Sequence, residues 1–260
     1  ELLALFQQAN FTLVYIGIES PNVESLKETK KNQNLRFPLL EQIHKVQSYG
    51  MIVWAGMIVG FDHDTTKIFG LQEDFFKRSR IPITSLGPLV ALPTTPLFAR
   101  MQQEGRLLAE ANLHAVTDKN LPVLHNNGGF TNFRPKHMTL DELFTGYRWL
   151  MRKLYAYPAF AKRLKNLLEN MGPSGYESKT FSPTFKEIQT LFKIMCHFTF
   201  TKNTYKRHAF WSLLCHFVRS RPTILYALFS QFVMHAHIYD MVLENYGPPE
   251  EAVPDSPFHD

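Results

Sequence analysis

Cysteine is nearly absent: the 260-residue chain has two, Cys196 and Cys215. Two scattered thiols in a chain of this size exclude a disulfide scaffold and fit a reducing compartment, so the expected location is the cytoplasm. No secretory leader pattern precedes the first element. Charged residues are somewhat sparse at 20%, whereas 45% of the chain is hydrophobic, a balance that excludes disorder and suffices for a core. No internal repeat is convincing. Cys196-His197-Phe198 returns as Cys215-His216-Phe217, but the surroundings differ. Lys and Arg are missing from Thr223 to Leu243, a run long enough to cross a bilayer. Ser230, Gln231, His235, His237 and Asp240 within it are costly in lipid, so it reads as a buried or interfacial helix.

Acidic residues are scarce in one region. From Arg152 to Arg221 there are 13 Lys/Arg against 3 Asp/Glu, while the remainder of this +5 chain sums to −5. Such a segment can face nucleic acid, anionic lipid or an acidic partner, or simply be a solvated basic helical surface. The solvated surface is the simpler account, and nucleic acid is not an expected partner. Peripheral contact with a membrane stands as the alternative placement.

What is present is organised around Met51–Gly60, an almost unbroken apolar run containing Ile52, Val53, Trp54, Ile58 and Val59. β-Branched and aromatic residues in such a run describe a strand buried on both faces, as in a parallel sheet covered by helices. The run breaks into Phe61-Asp62-His63-Asp64, with ionisable groups where the strand stops. Gly56 and Gly60 weaken a strand unless something approaches its backbone closely. Leu13–Ile18 and a stretch within Pro82–Leu92 read as two further strands, and amphipathic helices alternate with all three. Asn22 is placed to cap one helix and Thr65 or Thr66 another. Pro93-Thr94-Thr95-Pro96 is a rigid turn into a helix over about 97–104. Beyond a long loop, Thr139 and Glu142 form a capping box for a helix to about Tyr157. Four more helices are expected over about 159–170, 183–200, 203–219 and 222–245.

The fold class expected is therefore α/β followed by all-α: the C-terminal half of a partial (β/α) barrel with three parallel strands, then a helical domain. The expected divisions are 1–108 for the half barrel, 109–138 for a connecting loop, 139–247 for the helical domain and 248–260 for an acidic, proline-rich tail. The helix that opens at residue 1 has no cap before it, so the chain reads as the C-terminal part of something longer.

Gly17-Ile18-Glu19-Ser20, the Lys31–Asn34 segment, Gly56-Met57-Ile58-Val59-Gly60, Gly60–Thr65 and Leu92–Leu97 occur in an order and spacing that resembles the second half of a radical S-adenosylmethionine enzyme. The likeness is strongest to cobalamin-binding members with a helical C-terminal domain of unknown function, a group that includes hopanoid C-methylases. It implies S-adenosylmethionine and a four-iron cluster as cofactors, with cobalamin as a further one, and radical chemistry leading to methyl transfer on an apolar or lipid-like small molecule. It also implies cofactor contacts at Glu19, Ser20, Lys31, Gly56, Ile58 and Gly60. Asp62, His63 and Asp64 become candidates for acid/base or substrate-binding groups, against a reading in which these acids cap the next helix. No catalytic residue is assigned.

The chain departs from this family in two respects. The cluster motif C-x-x-x-C-x-x-C is absent, and two cysteines nineteen positions apart cannot supply three converging thiolates. Thr94 stands where a Pro-Gly-Thr-Pro turn would place glycine. The expected partners are therefore an N-terminal barrel half and a cobalamin domain, in the same or another polypeptide. The competing function is a non-catalytic remnant or binding module lacking the cluster half. Cys196, His197, Cys215 and His216 are zinc-type ligands, but adjacent helical residues point about 100° apart, so no metal site is expected. Phe185, Ile188, Phe192 and Met195 form a helical stripe expected to be core.

Overall fold

Three parallel strands form, the first two from runs rich in β-branched residues. In the computed structural model, which describes residues 1–28, 38–108, 130–175 and 184–249, these are β1 (Leu13–Glu19), β2 (Ile52–Val59) and β3 (Thr84–Pro88), in the order β1-β2-β3. Lys31, most of the connecting loop and nearly all of the acidic tail lie outside the described residues. Helices α1 (Leu2–Gln8), α2 (Val23–Glu28), α3 (Leu39–Ser48), α4 (Ile68–Ser79) and α5 (Pro96–Gln103) alternate with the strands. An all-helical region follows: α6 (Leu140–Tyr155), α7 (Tyr157–Asn170), α8 (Phe185–Thr199), α9 (Thr204–Ser220) and α10 (Leu225–Tyr246), the last preceded by a 3₁₀ turn at Pro222–Ile224. The expected architecture, three parallel strands and then helices, is the one observed.

Alternation along the strands separates two faces. Val53, Ala55, Met57 and Val59 of β2, with Leu86 of β3, face a core built from Ile43 of α3, Phe69 and Phe76 of α4, and Leu150 and Leu154 of α6. The opposite face carries Tyr15 and Gly17, Trp54, Gly56 and Ile58, and Ser85 and Gly87, which meet in register across the sheet. A second core joins α7, α9 and α10 through Phe160, Leu164, Phe210, Phe217 and Phe232, and takes in Ile52 and Ile83 near the start of β2 and ahead of β3.

Local signals set several helix starts. Thr139 Oγ1 accepts from the Glu142 N–H at 3.1 Å and Glu142 Oε2 accepts from the Thr139 N–H at 2.7 Å, the capping box expected there. Thr184 and Glu187 form a second box at the start of α8, and Asn203 caps α9. Three expectations need correction. The helix expected to reach about Tyr157 ends at Tyr155, because Ala156 turns extended (ψ 132°) and Tyr157 already starts α7, with Pro158 in its first turn. Neither Thr65 nor Thr66 caps α4 with its side chain; their carbonyls accept from Ile68 and Phe69 instead. Three of the four stripe residues expected to be core are exposed, Phe185 at 76%, Ile188 at 51% and Phe192 at 69%; Met195 packs against the core, and Phe198 alone of α8 is buried. Periodicity identifies a helix with an apolar side but cannot say what that side meets.

The long connection is tied at its described ends. Leu107 and Phe133 form an antiparallel bridge, Asn132 exchanges two side-chain hydrogen bonds with the backbone of Ala91 (2.9 and 2.7 Å), and Thr131 donates to the Leu89 carbonyl at 2.7 Å.

Candidate functional site

The C-terminal ends of parallel strands gather loops whose backbone groups no longer belong to the ladder, which is where binding sites of βα proteins form. Here β2 ends at Gly60, whose φ of +95° is open to glycine and strained for other residues. The turn it starts is held by Asp64, which is fully buried. Asp64 Oδ2 accepts from the N–H groups of Gly60 (2.9 Å) and Phe61 (3.1 Å), and Oδ1 from Ser25 Oγ (2.7 Å) and Asn22 Nδ2 (3.4 Å). One carboxylate thus fastens the loop after β2 to the start of α2. Burial pushes its pKa up, and these four donors do not fully offset that. Asp64 caps its own loop rather than the helix that follows.

Asp62 sits on the other side of this turn in an ion cluster. Its Oδ1 is 2.6 Å from Arg106 and its Oδ2 3.1 Å from Arg100. Burial raises its pKa, but the hydrogen bond and charge of Arg106, with the charge of Arg100, outweigh it and hold the carboxyl below its usual range. Arg100 also pairs with Glu28 at 2.7 Å, Glu28 accepts from the Asp62 N–H at 3.1 Å, and Arg106 pairs with Glu104 at 2.8 Å. His63 is exposed, with Nδ1 3.2 Å from Glu28. The cluster joins α2, the loop after β2, α5 and the segment that follows it.

At the end of β1 the ladder bulges: Gly17 opposes Gly56, but Glu19 opposes Met57. Glu19 adopts φ +70°, a left-handed conformation uncommon for non-glycine residues and a form of strain that clusters at functional positions. Ser20 is buried, and its Oγ accepts from the Asn22 N–H at 3.1 Å. The face of the sheet that carries the glycines lies below these residues, covered near the start of β2 where Ile52 and Trp54 meet the second core. Gly17, Gly56 and Ser85 share one row, and Gly87 stands opposite Ile58 in the next. A Cβ on Gly87 would meet nothing within 4 Å, and one on Gly56 would come within 2.6 Å of the Tyr15 hydroxyl alone among other residues' atoms at under 3.0 Å. Gly56 is therefore crossed by the tip of an exposed tyrosine, whereas Trp54, the next residue of β2 on this face, packs on the second core and donates to Gln231 of α10 at 3.4 Å. Of the cofactor candidates, Glu19, Ser20, Gly56, Ile58 and Gly60 lie on two adjacent strands and their C-terminal ends, whereas Lys31 is outside the described residues.

Sequence reading missed Glu28, Arg100, Arg106, Ser25 and Asn132. All act through partners about 30 to 70 positions away, for which periodicity carries no signal. It also missed the alignment of Gly17, Gly56, Ser85 and Gly87. A row across strands is legible only once register is known. Among the described residues no three His, Cys, Asp or Glu side chains come together as a metal site. Cys196 and Cys215 lie on α8 and α9 as free thiols, so the described residues do not fit a four-iron cluster.

Comparison with known proteins finds one family and several relatives named as methylases or methyltransferases. A family described as "Domain of unknown function (DUF4070)" matches residues 95–246, from the turn before α5 to the end of α10. The chain is 38% identical over 122 residues to a protein of Rhodopseudomonas palustris named hopanoid C-2 methylase, covering 47% of this chain and 23% of that protein. It is 28% identical over 226 residues to an uncharacterised methyltransferase of Synechocystis, covering 86% and 39%. It is also 27% identical over 165 residues to a bacteriochlorophyllide d C-12(1)-methyltransferase of Chlorobaculum tepidum, covering 64% and 33%. The matched regions thus make up well under half the length of these relatives. No solved structure matches. Among the described residues no helix is long and apolar enough to cross a membrane.

Proposed function

The chain belongs to the DUF4070 family, and from that premise we propose that it is the C-terminal part of a methyl-transferring radical S-adenosylmethionine enzyme, with S-adenosylmethionine lying against the glycine-bearing end of the β1–β3 face. The observation that carries this reading is the row Gly17–Gly56–Ser85, extended by Gly87. It is a floor nearly free of side chains, beneath strand ends that carry the ion cluster. A flat adenosyl group can reach main-chain groups on such a floor, and one Cβ would fill the space it needs. Glu19 and Ser20 at the end of β1, Lys31 toward the carboxylate and Ile58 beside the ring complete the binding set in this proposal, and Gly60 starts the turn that closes it. S-adenosylmethionine, once bound, supplies the methyl or adenosyl chemistry.

Asp62 is doubly paired and ionised, and Asp64 is engaged by four donors, so both serve as positioning groups in this reading. His63, with an exposed ring, is the remaining acid/base candidate. The thiolates of a four-iron cluster, and a domain for cobalamin, come from outside this chain. The edge of β1, with Tyr15 60% exposed and Phe11 48% exposed beside it, is where an N-terminal barrel half adds its strands. The substrate is a small apolar or lipid-like molecule, and the compartment is the cytoplasm.

The decisive experiment is calorimetric titration of S-adenosylmethionine into the complete protein and into its Gly87→Val and Gly56→Val variants, with melting temperatures. Gly87→Val projects into open space, so it should leave the melting temperature unchanged and abolish detectable binding. Gly56→Val displaces the Tyr15 tip and should also lose binding. Wild-type affinity in Gly87→Val refutes this placement of the cofactor.

A further inference from the structure

Helix α8 has two apolar sides. Ile194, Met195 and Phe198 pack on the helical core, while Phe185, Ile188 and Phe192, at helical spacing, are 76%, 51% and 69% exposed. Phe200, one residue beyond the end of the helix, is 81% exposed. Exposed phenylalanines gathered along one helix are an interaction surface rather than ordinary scatter.

The charge around them selects the partner. Between Thr184 and Arg221 there are seven Lys/Arg and a single acid, Glu187. That acid is spent locally, its carboxylate accepting from the Thr184 N–H at 2.7 Å and hydroxyl at 2.9 Å in the capping box. Lys186, Lys193 and Lys202 are exposed. Lys186 and Lys193 project about 100° around the helix from Phe185 and Phe192 respectively, given 100° per residue. Long lysine stems at the border of an apolar stripe can lay their methylenes along it and carry the ammonium outward. An apolar stripe with a basic border on one side, on a helix of 15 residues that is too short to span, fits a helix lying in a membrane interface.

We propose that α8 is a membrane-docking helix, which seats Phe185, Ile188, Phe192 and Phe200 among the acyl chains of an anionic bilayer while Lys186, Lys193 and Lys202 contact its headgroups. A protein partner of matching shape would need its own acidic border. A second copy of this chain presents the same basic rim and is repelled. A lipid surface supplies apolar depth and negative charge together. The surface stands apart from the strand ends, so it holds or fails independently of the cofactor placement proposed above.

The test is co-sedimentation of the protein with vesicles of phosphatidylcholine alone and of phosphatidylcholine with phosphatidylglycerol, at low and high salt. The wild-type protein should bind the anionic vesicles, bind neutral vesicles at least about tenfold more weakly, and be released by salt. Phe185→Ser/Phe192→Ser and Lys186→Glu/Lys193→Glu should each weaken binding about tenfold or more, the lysine pair on anionic vesicles only. These side chains are exposed, so melting temperatures should not change, which separates lost docking from lost fold. Three outcomes overturn the proposal. One is no binding to anionic vesicles, and another is binding unaffected by both double variants. The third is a wild-type dimer that the phenylalanine variant converts to monomer without altering vesicle binding, which would assign the face to a second copy.

Discussion

Tyr155 of α6 closes the outer edge of β3: its hydroxyl accepts from the Thr84 N–H at 3.3 Å and donates to the Thr84 carbonyl. Two turns earlier on the same helix, Tyr147 donates to the Leu86 carbonyl at 3.0 Å. These are the backbone groups another strand would use, so the sheet is sealed on this side by side chains and can grow only beyond β1. Both phenols are buried, and burial raises the pKa of Tyr155 to about 12.

Replacing Tyr155 with Phe should therefore leave two buried backbone groups of Thr84 without their partner. The expected cost is about 1–3 kcal/mol, the penalty for an unsatisfied buried group. Tyr147→Phe removes one bond and should cost less. Urea unfolding of the two variants checks this, and an unchanged midpoint for Tyr155→Phe would show that the seal adds no stability.

Asp62 sets an acid dependence. Its pKa is lower in the folded protein than its ordinary value of 3.8, because Arg106 and Arg100 outweigh the opposing effect of burial. Its contribution is therefore fully present above 3.8 and is lost as pH falls through the lower folded value. Asp62→Asn should be less stable than wild type at neutral pH, and the gap should close below that range. A gap that stays constant from neutral pH into the acid limb would mean that the ion pairs do not stabilise the fold.

Thr94 makes the opposite prediction. The Thr95 N–H bonds the Leu92 carbonyl at 3.2 Å, Pro93 follows Leu92, and Thr94 has φ +69°. This is a type II turn with a β-branched residue at the position that calls for glycine. Thr94 is exposed, so its side chain has little packing to lose. Relief of left-handed strain, about 1–2 kcal/mol, exceeds the added unfolded-state freedom of glycine, about 0.4–1 kcal/mol. Thr94→Gly should thus raise the melting temperature. A decrease would show that the turn is held by something threonine supplies.

Much of this was open to sequence reading because the relevant physics is local. Ile52 to Val59 describe their own strand, and Thr139 with Glu142 describes its own cap. Positions are legible to the same extent: Glu19, Gly60 and Asp62 through Asp64 lie where strands end, and Gly56 lies within β2. What escaped depends on who meets whom. The tyrosines that seal β3 are 61 and 71 residues from the groups they bond. Arg100 meets Glu28 across 72. The stripe of α8 had the right period, but whether it faces core or solvent is decided by other helices.

Gly146 depends on tertiary context in the same way. It sits within α6, where glycine costs about 1 kcal/mol relative to alanine, so an isolated helix would gain from Gly146→Ala. In the folded chain a Cβ there would lie 2.0 to 2.4 Å from three ring carbons of Phe69, on α4. Phe69 is fully buried and cannot swing aside as an exposed tip could. Overpacking of this kind costs about 1–3 kcal/mol, which exceeds the propensity gain. Gly146→Ala should accordingly destabilise the protein. The sign should reverse once the ring is gone. In a Phe69→Ala background, measured with trimethylamine N-oxide present to keep that weakened variant folded, Gly146→Ala should be neutral or stabilising. Equal destabilisation in both backgrounds would mean that the glycine is needed for the course of the α6 backbone and not for the approach of α4.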